Sequence, residues 1–187
     1  MRDYARNPAP GALEAARTLL NSRSIAHDTR KRIDELDAVA ATPATWADEF
    51  GDQLPRPAAD HLRAVRELRD TLRQQLGQRA PANLQSWLDT CPLEVHVDPQ
   101  SGSVRHRGRP GDCVGAVLSI VVDSVVDQQW HRLRACPGCE RVFYDRSPNL
   151  SRIWCGMYAD GDFGRACGTI AKVSAYRARK KTASDAD

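Results

Sequence analysis

The sequence predicts an α+β fold that is mainly α: a helical N-terminal domain with one β-hairpin, followed by a small cysteine-bearing module that ends in a basic helix. Three observations predict it. Apolar residues recur at three- and four-residue steps through most of the first 130 positions. The period changes to strict alternation over Leu93 to Asp98. Four cysteines near the C-terminal end follow the pattern Cys136-x2-Cys139-x15-Cys155-x11-Cys167.

The first dozen residues, with Pro8, Pro10 and Gly11, read as a loose lead-in. From Ala12 to about Ser22, Leu13, Ala16, Leu19 and Leu20 mark one face of a helix. A second helix is expected from about Asp28 to Ala40, with Ile33, Leu36 and Val39 inward. Thr42-Pro43 then opens a short helix holding Trp46 and Phe50: the hydroxyl accepts from a free backbone N–H, and proline loses nothing at the first helical position. The strongest helical pattern spans Pro57 to Leu76, where Leu62, Val65, Leu68, Leu72 and Leu76 form an apolar stripe. Arg63–Glu67 and Arg66–Asp70 are spaced to pair across its polar face, and Gly77 ends it.

Leu84 to Leu88 adds a helical turn before Cys91-Pro92. Leu93, Val95 and Val97 then alternate with Glu94, His96 and Asp98, a half-buried strand that turns at Gln100-Ser-Gly102 and returns through Val104 to Arg107. Glu94, His96 and Asp98 share one face. They could ligate a metal, but a solvent-facing polar edge is the ordinary role of such a row. Asp112 is placed to cap an apolar helix from Cys113 to about His131.

Composition bounds the function. The 187 residues are 41% hydrophobic and 27% charged, as in an ordinary globular protein. No apolar run approaches the roughly 20 residues that span a bilayer, and no secretory leader is evident, so a cytoplasmic protein with reduced thiols and no membrane partner is expected. Cys91 and Cys113 are then plain core or surface thiols. No Gly-rich phosphate loop, G-x-S-x-G elbow or triad spacing occurs, and no enzymatic activity is expected. Net charge is +3, but residues 128–187 hold 11 Lys and Arg against 6 Asp and Glu, while residues 1–127 hold 16 against 18. A basic module beside a near-neutral one suggests a polyanionic partner.

The cysteine pattern carries most of the chemistry. A C-x2-C knuckle presents two thiolates from one turn, and a more distant pair completes a tetrahedral Zn²⁺ site. Four thiolates leave no open position, so such a zinc is structural. A redox C-x-x-C and a disulfide framework are the competing readings. The first normally opens a helix, whereas here the strand-like Arg141-Val-Phe-Tyr144 follows; the second suits secreted chains. Pro137-Gly138 suits the knuckle, Phe143 and Trp154 are expected to form a mini-core with Val142 and Ile170, and Cys167 is expected to start the final helix, where the dipole favours an anion. On that helix Lys172, Tyr176, Arg179 and Lys180 share a face that Arg177 and Lys181 flank.

The segment from Leu133 to Arg179 resembles the CGNR zinc finger. The matching positions are Cys136, Cys139, Phe143, Asp145, Ser147, Asn149, Arg152, Trp154, Cys155, Cys167, Gly168, Lys172, Tyr176 and Arg179. It departs from that pattern in the long Cys155–Cys167 interval, with an insertion from Tyr158 to Arg165, and in Thr169 and Ile170 where the name-giving Asn and Arg would stand. The N-terminal part is similar to the ABATE domain: Ala12 to Arg23 looks like its opening helix and corner, and Asp34-Glu-Leu36, Trp46 and the arginine-rich leucine helix follow in order. The resemblance implies two domains, 1–130 ABATE-like and 131–187 a finger of knuckle, short hairpin and basic helix. It implies a bacterial, stress-associated transcription regulator with one structural zinc on Cys136, Cys139, Cys155 and Cys167. The expected nucleic-acid contacts are Arg152, Lys172, Tyr176, Arg177, Arg179, Lys180 and Lys181, with DNA as partner. The N-terminal domain is expected to sense a small-molecule or protein effector, or to form a homodimer. An RNA-binding or protein-interaction module stabilised by zinc is the alternative.

Overall fold

A computed structural model describes residues 8–26, 29–158 and 166–184, with side chains to 181. Most of the Tyr158–Arg165 insertion therefore lies outside the described residues. The elements run α1 (Leu13–Asn21), β1 (Arg23–Ile25), β2 (Arg32–Asp34), α2 (Leu36–Ala40), α3 (Pro43–Phe50), α4 (Leu62–Gln74), α5 (Leu84–Thr90), β3 (Glu94–Val97), β4 (Val104–Arg107), α6 (Cys113–Val126), a 3₁₀ turn (Trp130–Arg132), β5 (Leu133–Ala135), β6 (Val142–Tyr144) and α7 (Cys167–Ser184). The strands form three separate antiparallel hairpins, β1–β2, β3–β4 and β5–β6. The architecture is the mixed one expected, helices with small hairpins and a cysteine-bearing module at the C-terminal end.

Helix α1 is the axle of the core. It is buried from Leu13 to Asn21 apart from Glu14, because α3, α4, α6 and β6 all pack on it. Its apolar face meets Val65, Leu68 and Leu72 of α4 and Val117, Leu118 and Val121 of α6 in one cluster. The same helix buries polar Arg17 and Asn21, which both donate to the Val142 carbonyl of the C-terminal module, while Arg17 is also held by Glu14 one turn back. Helix α3 carries the expected cap: the Thr42 hydroxyl accepts from the Thr45 amide at 3.1 Å, with Pro43 at the first helical position. Trp46 and Phe50 are buried with ring centroids 4.3 Å apart, and the Trp46 indole N–H donates to the Leu54 carbonyl at 2.8 Å.

Several expectations are corrected. Of the helix expected over 28–40, residue 28 lies outside the described residues and 29–40 hold β2, paired in a hairpin with β1, and the short α2: Arg23 lies opposite Asp34, Ser24 opposite Ile33 and Ile25 opposite Arg32. Tertiary bonding overrides the helical period here. The fully buried Arg69 of α4 donates to both Asp34 carboxylate oxygens at 2.7 and 2.6 Å and to the Ser22 hydroxyl at 2.9 Å, which ties the open end of the hairpin to α4. Helix α4 begins at Leu62, not Pro57. The preceding segment is tied elsewhere, with the Arg56 guanidinium on the Ala40 carbonyl at 2.9 Å. Arg63–Glu67 forms at 2.8 Å, but Arg66 reaches Asp37 at 2.5 Å rather than Asp70. Helix α6 ends at Val126, before His131, and Asp112 does not cap it with its side chain; its carboxylate accepts from the Cys91 thiol at 3.2 Å. The β3–β4 hairpin forms in the expected place but is not half-buried: Val95, Val97 and Val104 are all exposed.

Candidate metal centre and basic helix

Three stretches deliver the four sulfurs. Cys136 and Cys139 come from the turn joining β5 to β6. The Cys136 amide donates to the Arg141 carbonyl at 2.9 Å and the Glu140 amide to the Cys136 carbonyl at 2.8 Å, with Glu140 in the left-handed region at φ 59°. Cys155 follows a loop organised by Asp145. That fully buried carboxylate accepts from the Ser147 amide at 2.8 Å, the Ser147 hydroxyl at 2.6 Å and the Arg152 amide at 3.0 Å. Burial opposes its ionisation, but these bonds, together with the Arg134 guanidinium, outweigh it and hold the carboxyl below the usual range. Cys167 is the first residue of α7, as expected, and the Gly168 amide donates to the Gly156 carbonyl at 2.9 Å.

The sulfurs of Cys136, Cys139, Cys155 and Cys167 all lie within 4.8 Å of one another, with Cys139 and Cys155 3.5 Å apart. Tetrahedral Zn–S bonds of ~2.3 Å separate sulfurs by about 3.8 Å, so the cage has the size a zinc ion needs. Electrostatics points the same way. Hydrogen bonds from the Cys139 and Cys155 thiols push Cys136 far toward the thiolate, and the bond to Cys136 pushes Cys139 up. Cys155 is pushed up by its bonds to Cys136 and Cys139, and Cys167, by burial and then by its neighbours' charge, to about 12. Thiolates this close repel one another, and a divalent cation among them offsets that repulsion. The other two cysteines are ordinary thiols. Burial raises Cys91 to about 11 and Cys113 to about 12, in both cases with Asp112 adding to the rise.

Around the cage, Phe143 is buried and Trp154 partly buried against the cysteines. The expected mini-core partners sit elsewhere: Val142 belongs to the main core beside α1, and Ile170 is exposed on α7. The finger is clasped by residues outside it that the sequence did not single out as part of the site. The Ile25 amide donates to the Cys139 carbonyl at 3.2 Å, Arg30 to the Gly138 carbonyl at 2.7 Å, and Arg73 to the Glu140 carbonyl at 2.8 Å. Asn21 matches β6 as a strand would: its amide donates to the Val142 carbonyl at 2.9 Å and its oxygen accepts from the Val142 amide at 2.8 Å. The Asn-Ser-Arg corner at 21–23 was the signal available for it.

The proposed nucleic-acid contacts separate into two groups. Lys172, Tyr176, Arg177, Arg179, Lys180 and Lys181 are brought together, all exposed, on α7. Arg152 is not with them. Its guanidinium lies 5.1 Å from the Phe143 ring centroid and donates to the Trp154 carbonyl at 3.0 Å and to the Cys155 carbonyl. In the structure it braces the Cys155 loop. Glu94, His96 and Asp98 sit on the exposed hairpin. His96 lies 3.4 Å from Glu94 while Asp98 is spent on the turn, accepting from Gln100 and Ser101. Among the described residues, the one group with metal-ligand convergence is the four cysteines.

A closed tetrathiolate cage on a C-x2-C knuckle, with the fourth ligand opening a helix, defines a structural zinc finger with one zinc. Residues 132–180 match the family model of the CGNR zinc finger, so the chain carries a CGNR zinc finger. No curated protein matches the chain. Among the described residues no helix is long and apolar enough to cross a membrane.

Proposed function

We propose that the protein is a DNA-binding transcription regulator that acts by binding rather than catalysis, with α7 as its nucleic-acid element and the ABATE-like N-terminal domain for sensing or dimerisation. One observation carries this reading. Helix α7 is anchored at Cys167 to the zinc cage, while residues 172–181 are exposed and hold five cations with no acid. A helix held at one end by a rigid metal site presents its charges at fixed positions, which is what a regular row of phosphates requires. Tyr176 among them offers stacking or a hydrogen bond.

The exposed apolar residues Ile170 and Val173 of the same helix support a second reading, a zinc-stabilised module that binds protein. Salt separates the two. Zinc-loaded full-length protein is titrated with a fluorescent duplex from 50 to 200 mM salt, and four phosphate contacts predict a loss of affinity of about a hundredfold. Simultaneous alanine substitution of Lys172, Arg177, Arg179 and Lys180 removes binding and leaves zinc content unchanged. Binding of wild-type protein that is indifferent to salt, or to this quadruple change, contradicts the reading.

A further inference from the structure

The β3–β4 hairpin stands out because its valines are exposed. Val95 and Val97 are each 62% exposed and Val104 47%. An isolated hairpin is marginal in water, and a free strand edge invites pairing. Here β4 is shielded on its outer side, since the His106 amide donates to the Asp123 carboxylate at 3.2 Å and the His106 ring lies on the same oxygen at 2.7 Å. Among the described residues β3 has no strand neighbour but β4. Nor does it carry the lysine or proline that commonly blunts an edge.

The ladder shows which groups the edge offers. The Asp98 amide donates to the Ser103 carbonyl at 2.9 Å. Antiparallel alternation then puts His96 and Glu94 in the bonded pairs with Arg105 and Arg107, and turns the backbone N–H and C=O groups of Val95 and Val97 outward. We infer that this edge pairs with β3 of a second copy of the chain, antiparallel about a two-fold axis at Val95, to form a four-stranded sheet.

Side-chain chemistry selects that register. Centred on Val95, each Glu94 lies opposite His96 of the other copy, and Val95 lies opposite its own copy. Centred on His96, the next register that keeps outward groups bonded, Glu94 meets Asp98 and His96 meets His96, like against like. Shifts by a single residue put valine opposite histidine and mix the faces. In the selected register the valines of both hairpins join into one apolar stripe, and the acid–imidazole pairs line the other face.

The test uses the full-length zinc-loaded protein. Sedimentation velocity across a range of concentrations is expected to show a monomer–dimer equilibrium, and Val95→Lys to weaken it at least tenfold with an unchanged circular dichroism spectrum. Glu94→His alone weakens the dimer, whereas Glu94→His combined with His96→Glu restores it, because the swap keeps an acid opposite an imidazole. Paired residues of the bonded type lie about 5.5 Å apart between Cα atoms, within disulfide reach, so Val95→Cys yields a 95–95 crosslink under mild oxidation, mapped by mass spectrometry. A protein that is monomeric throughout overturns the inference. So does a dimer unaffected by Val95→Lys, or one whose crosslinks form elsewhere.

Discussion

A methyl group at position 138 would crowd the fourth ligand. A Cβ placed on Gly138 would lie 3.1 Å from the Cys167 sulfur, 3.2 Å from its Cβ and 3.4 Å from the Trp154 ring. The glycine leaves space beside the fourth ligand, a contact that its place in the Pro137-Gly138 knuckle did not reveal. Gly138→Ala is therefore expected to weaken zinc binding about ten- to a hundredfold, the range typical of residues that orient ligands, as read by competition with a chromophoric chelator. Asp34 supplies a pH signature. The hydrogen bond from Arg69 leads the causes that hold its carboxyl below the ordinary value, overcoming partial burial. Its contribution is thus complete above the unfolded carboxylate pKa of about 3.9 and is lost as pH falls through the lower folded value. In urea titrations from pH 6 down to 2.5, Asp34→Asn should lower stability at the upper end and converge on wild type at the lower. Zinc release by acid is common to both proteins and cancels in the difference.

Among the elements, β6 shows how the finger is held. One edge of it pairs with β5 and the other is met by Asn21, a side chain standing in for a strand. Asn21→Ala leaves a buried amide and carbonyl of Val142 without that partner, and denaturant unfolding should show a loss of about 1–3 kcal/mol. The elements also show where the sequence was legible. The apolar stripe of α4, the Thr42-Pro43 start of α3 and the cysteine knuckle are local signals, and they appear where the residues put them. The β1–β2 hairpin is not local: the periodicity of Ile33, Leu36 and Val39 argues helix, and what prevents it is Arg69, distant in sequence, gripping Asp34. The valines of β3 alternate correctly, but alternation reports one apolar face without saying whether anything covers it.

For the molecule as a whole, the finger and the helical core are one packed body at β5–β6. Leu133, Val142 and Tyr144 lie in the same cluster as the α1, α4 and α6 residues, while Phe143, between two of them in sequence, faces the cysteines. This alternation in β6 lets one strand serve the core and the cage together. The four ligands were legible because spacing constrains them. Their clasp by Ile25, Arg30 and Arg73 was not, because no short-range pattern marks a residue that reaches a carbonyl 67 or more positions away. The basic helix joins the cage through Cys167, so the whole reading rests on that sulfur joining the other three. Zinc-edge X-ray absorption on protein purified without added metal, combined with metal analysis, tests this most directly. The expected result is one zinc per chain surrounded by four sulfurs at ~2.3 Å, falling to three sulfurs in Cys167→Ser. A folded, metal-free chain, or a zinc shell with fewer than four sulfurs in the wild type, would contradict it.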